Sequence, residues 1–79
     1  MTAAAEHWHD LRFHRDLYAG VAVDEAVQRY RQHIEFTLEE QPDAWVVRLR
    51  ALRPELTRRV AHELANYALG LTVQRGGPG

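Results

Sequence analysis

Seventy-nine residues fit one small domain and leave no room for a second. The chain has no Cys, Ser or Lys, and its ten basic residues are all Arg against eleven acids, for a net charge of −1. That composition excludes a disulfide framework, a thiolate zinc site, Cys and Ser nucleophiles, a Schiff-base lysine and a P-loop lysine.

Residues 1–7 read as a flexible tail. From Trp8 the pattern changes. Leu11 and Phe13 alternate with Asp10, Arg12 and His14, the period of a half-buried strand over roughly residues 9–15. Residues 16–20 form a turn. Val23 to His33 reads as a helix of about three turns, with Asp24 as its N-cap and Glu25 in the acid-favouring first turn. Val23, Ala26, Val27 and Tyr30 form its apolar stripe.

Ile34 to Glu40 alternates again, with Ile34, Phe36 and Leu38 inward and Glu35, Thr37 and Glu39 outward. Glu40-Gln41-Pro42-Asp43 is a turn. Ala44 to Ala51 returns with Trp45, Val47 and Leu49 inward, which makes an antiparallel hairpin. Trp45 is read as core, and Trp8 as packing or as an exposed anchor. Pro54 opens the longest helix as a first-turn proline. Leu56, Val60, Leu64, Tyr67, Ala68 and Leu71 form its buried stripe, and Gly70 is expected to stop it. Leu71 to Arg75 leaves room for a short last strand. Gly76 to Gly79 reads as a second flexible tail.

The order is strand, helix, strand, strand, helix, in a single α+β domain over residues 8–75. Each strand has one polar face, so both helices must cover the other. The expected fold is a two-layer βαββα sandwich, ferredoxin-like with its last strand short or missing. The first strand lies either parallel beside the second or antiparallel beside the third.

The interleaved acids and arginines speak against a nucleic-acid binder. No apolar run approaches the ~18 residues of a membrane span. Residues 1–6 lack the basic and apolar regions of a secretory signal, so a cytoplasmic protein without membrane contact is expected. His7, His9 and His14 cluster in sequence, but no Cys or fixed carboxylate joins them, and no metal or other cofactor is expected. Glu39 and Glu40 point to opposite faces of a strand and cannot converge as an acid–base pair. Arg58 and Arg59, with Arg53, can meet an anionic or acidic partner. Gly76-Gly77 resembles the adenylated tail of ubiquitin-like sulfur carriers, but Pro78 and Gly79 follow it, and those proteins carry two strands before the helix.

Four segments together resemble the family of short bacterial proteins called His-Xaa-Ser system protein HxsD, over about residues 10–75. They are Leu11-Arg12-Phe13 leading to Leu17-Tyr18, the helix Asp24-Glu25-Ala26-Val27-Gln28-Arg29-Tyr30, the hairpin from Ile34 to Leu49, and Leu64-Ala65-Asn66-Tyr67-Ala68-Leu69. The chain departs from the family at Gly70-Leu71, where charged residues are usual. The resemblance implies a place beside radical-SAM enzymes and a precursor peptide with His-Xaa-Ser repeats. The enzymes would hold the clusters; this chain has no Cys for one.

The expectation is a non-catalytic accessory subunit that binds precursor peptide or modifying enzyme through a sheet edge. Arg48 and Arg50 on the exposed sheet face would attract acidic leader residues, and Arg58, Arg59 and Asn66 offer a second contact on the long helix. The alternatives are a structural or self-assembling subunit, for which exposed edges favour a homo-oligomer, and the sulfur carrier.

Overall fold

A computed structural model describes residues 8–78. The expectations for residues 1–7 and for Gly79 lie outside that range. Three strands and two helices follow one another as β1 (His9–His14), α1 (Gly20–Tyr30), β2 (Ile34–Glu40), β3 (Ala44–Ala51) and α2 (Thr57–Gln74). The protein is an α+β sandwich with the order β-α-β-β-α. Its sheet order is β1-β3-β2, and both neighbouring pairs are antiparallel. Of the two expected places for the first strand, it takes the one beside the third. This is the ferredoxin-like arrangement without its fourth strand.

Both registers run without a bulge, from His9 opposite Leu49 to His14 opposite Ala44, and from Ile34 opposite Ala51 to Glu40 opposite Trp45. The β2–β3 turn closes with paired backbone bonds between Gln41 and Ala44, around Pro42 and Asp43. The two helices cover one face of the sheet. The core is Phe13, Val23, Val27, Ile34, Val47, Leu49 and Leu64, filled out by the small Ala26, Ala61 and Ala68. The alanines let the helices approach each other and the sheet closely.

The first helix begins three residues earlier than its sequence pattern suggests. Its N-cap is Ala19, not Asp24, and Asp24 lies exposed inside the helix. Buried Ala22 extends the apolar stripe backward by one position, and the backbone of Ala19 is held from α2. The amide of Ala19 donates to Thr72 Oγ1 at 3.1 Å, and that hydroxyl donates onward to Ala68 O at 2.9 Å.

The second helix differs at both ends. Pro54 opens a single 3-10 turn, and α2 proper starts at Thr57. Thr57 is buried and its hydroxyl accepts from the Ala51 amide at 3.0 Å, which ties the end of β3 to the start of α2. Gly70 is not a stop. The helix continues through it to Gln74, so Leu71 to Arg75 is not a strand. Burial of Ala68 and Thr72 on either side carries the helix past an exposed glycine, where an added Cβ would meet nothing within 4 Å. The stop falls at the next glycines. Gly77 N–H donates to Thr72 O at 2.9 Å and Gly76 N–H to Val73 O at 3.0 Å, with φ of 111° and 92°. This pair of bonds is a Schellman cap, which needs a left-handed residue.

Leu38 and Trp45, both read as core, are not enclosed, and Leu11, Phe36, Leu56, Val60, Tyr67 and Leu71 are only half-buried. Leu38 is 43% exposed, since the helix layer does not reach over the far half of β2. Trp45 is half-buried at the rim, with its indole against the backbone of Gly20 and the Arg15 guanidinium stacked 4.3 Å from its ring.

Candidate functional site

The uncovered face of the sheet carries nearly all the charged side chains of the three strands. Alternation aims Asp10 and Arg12 of β1, Thr37 and Glu39 of β2, and Val46, Arg48 and Arg50 of β3 toward solvent. Arg48 binds Asp10 at 2.9 Å, across the β1–β3 pair. The Asp10 hydrogen bond, helped by its negative charge, holds the Arg48 guanidinium above its usual pKa. Arg50 pairs with Glu35 directly opposite on β2, and its guanidinium lies 4.8 Å from the Trp8 ring. Arg12 reaches over the hairpin turn to Asp43 at 2.9 Å and Gln41 at 2.8 Å.

Asp10, Arg12, Thr37, Glu39, Gln41 and Arg48 surround an open groove of about 510 Å³ floored by Val46. Arg12 and Glu39 stand on its two sides, each opposite Val46 in the register. Arg12 is paired; among the described residues Glu39 makes no ion pair, and it is the acid of this face that stays available. Arg48 and Arg50, expected to attract acidic residues of a partner, are each already matched to an acid of their own sheet.

Arg58, Arg59 and Asn66 come together elsewhere. With His62 and Glu63 they line a shallow groove of about 430 Å³ along α2. Arg59 leans on Glu63 one turn on, at 3.4 Å. Arg53 pairs with Glu55 at 3.1 Å and does not line this groove. The five singled-out residues therefore form two surfaces, one on the sheet and one on the long helix. Tyr67, beside Asn66, packs edge-on against Tyr30, with Arg29 5.5 Å from its ring.

A third hollow, about 350 Å³, lies where α1, β3 and α2 end or begin. Tyr30, Leu52, Leu56 and Val60 give it apolar walls, and His33 stands at its rim. Among the described residues no three His, Asp or Glu side chains are close enough to hold a metal ion. His9 and His14 point to opposite faces of β1, five positions apart. No described helix is long and apolar enough to cross a membrane.

The feature that sequence reasoning placed only loosely is the pair of sheet edges. Among the described residues nothing pairs with the outer edge of β1 or of β2. Locating the edges required the strand order, which alternation does not contain. No family model, curated protein or solved structure matches this chain.

Proposed function

We propose that this chain is a non-catalytic accessory subunit that binds an extended segment of another polypeptide by strand addition. The observation that carries this reading is the three-stranded sheet with two edges that are unbulged and, among the described residues, unpaired. An edge strand offers a row of free amides and carbonyls, and an incoming strand takes its affinity from them and its specificity from alternate side chains. The resemblance to the HxsD family suggests the setting, a cytoplasmic peptide-modification system with a radical-SAM enzyme and its precursor peptide as partners. The Gly76-Gly77 pair has a structural duty as the cap of α2, which accounts for both glycines without a carrier tail.

Co-purification with the enzyme and the peptide encoded beside it tests the proposal. The expected complex should protect backbone amides of β1 or β2 from hydrogen exchange. Capture of neither partner overturns it.

A self-assembling subunit is the second reading. Leu69 and Val73, one turn apart on α2, are exposed, as are Leu17 in the turn before α1 and Val21 in its first turn, which Thr72 ties to α2. Native mass spectrometry separates the two: a stable homo-oligomer without peptide affinity favours this one.

A further inference from the structure

The two edges are not equivalent. Along β1, His-Asp-Leu-Arg-Phe-His, one acid and one arginine balance, Phe13 is buried and Leu11 half-buried. Along β2, Ile-Glu-Phe-Thr-Leu-Glu-Glu, there are three acids and no basic residue, and the last four side chains are all exposed. β2 has no Pro, no Lys and no bulge, so its three carboxylates are what guards this edge. On its inner face Phe36 is half-buried against the core, and Leu38 beside it is exposed, beyond the cover of the helices. On its outer face Thr37 and Glu39 line the groove over Val46.

We propose that the outer edge of β2 is the docking site, and that its occupant is a basic strand in which Arg or Lys alternates with apolar residues. This rests on the strand-addition reading above and settles its edge and its partner chemistry. Charge selects the occupant. The unpaired Glu39 and the partly exposed Glu35 sit on the outer face, two positions from Thr37 on either side. An added strand places alternate side chains beside them, where a basic residue forms favourable cross-strand pairs. Its other side chains fall on the inner face, where apolar ones continue the strip of Phe36 and Leu38.

The same charges act against a second copy of this chain. Antiparallel self-pairing about Thr37 sets Glu35 opposite Glu39 of the other copy. Pairing about Leu38 or Phe36 sets like acids on the diagonal. Like charges in either relation disfavour the pairing. An acidic peptide meets the same repulsion, because Arg48 and Arg50 are already matched to Asp10 and Glu35.

The test uses the full chain and three capped eight-residue peptides. In the first Arg and Val alternate, in the second Glu replaces Arg, and in the third alternate backbone amides of the Arg peptide are N-methylated. Amide chemical shifts locate the site, and titration gives affinity. The Arg–Val peptide should shift residues 35–40 and bind about tenfold more tightly than the Glu–Val peptide, as a few cross-strand pairs of opposite sign imply. N-methylation should abolish binding. E39Q, on an exposed side chain, should weaken binding a few-fold while the circular dichroism spectrum stays unchanged. Equal or tighter binding of the Glu–Val peptide, shifts confined to β1, or a homodimer joined through β2 each overturns this inference and leaves strand addition standing. Binding of neither peptide at either edge overturns both.

Discussion

Thr72 holds Ala19 across 53 positions of sequence, its Oγ1 3.1 Å from the Ala19 amide. Helix α1 has no side-chain cap of its own, and the bond locks its first turn onto the last third of α2. Thr72 is 1% exposed, and its hydroxyl also satisfies the Ala68 carbonyl. Thr72→Val keeps the shape and strands a buried N–H. It should destabilise the fold by about 1–3 kcal/mol, measured by urea unfolding. Thr72→Ser, which keeps the oxygen, should lose less. Equal losses for the two would show that the methyl, not the hydrogen bond, holds the junction.

Gly20 is where the same junction meets the sheet. A Cβ there would lie 2.6 Å from the Trp45 indole. The ring cannot stay in place, and moving it outward breaks its stack with Arg15. Gly20→Ala should therefore cost about 1–3 kcal/mol despite the better helix former. The emission of Trp45 should shift to longer wavelength as the ring gains solvent; Trp8→Phe in the background isolates that signal. Unchanged emission with unchanged stability would count against the close packing.

How far the sequence could be read depends on whether each feature is local. Strand faces were legible because every strand has one wet side, so Phe13, Val47 and Leu49 alternate with charged or otherwise outward-facing neighbours. Leu38 obeys the same alternation and is still exposed. Alternation reports which face a residue takes, not how far the opposing helix layer extends. Glu35 and Arg50 share a hairpin, so their pairing follows from its register. The partner of Arg48 is Asp10, on a strand whose neighbour depends on the chain's topology. The start of α1 escapes the local pattern for the same reason: its anchor, Thr72, belongs to the other helix.

Leu64 sits at the centre of the core, fully buried between α2 and the sheet. Leu64→Ala should cost about 2–5 kcal/mol, since the surrounding core relaxes only partly into the space. A domain of this length has only about 4–12 kcal/mol in total. The variant should melt far lower and lose the sharp dispersion of its amide resonances. Retention of the parental melting temperature would place the centre of the core elsewhere.

The glycines near the end of α2 give predictions of opposite sign. Gly70 lies inside the helix, exposed, with nothing within 4 Å of a would-be Cβ. Gly70→Ala adds helix propensity and restricts the unfolded chain at no steric cost, so it should stabilise by about 0.5–1 kcal/mol. Gly76 also has open space around it, but its φ is 92°. There an L side chain meets its own backbone, and Gly76→Ala should destabilise by about 1–2 kcal/mol. Each kcal/mol moves the midpoint by roughly 4–8 °C in a domain this small, so thermal melts resolve both changes. The contrast checks the helix end itself. A helix that stopped at Gly70 would reverse the sign at Gly70, because that glycine would then occupy the left-handed cap. Loss of stability in Gly70→Ala, with none in Gly76→Ala, would return Leu71 to Arg75 to the sheet as a fourth strand.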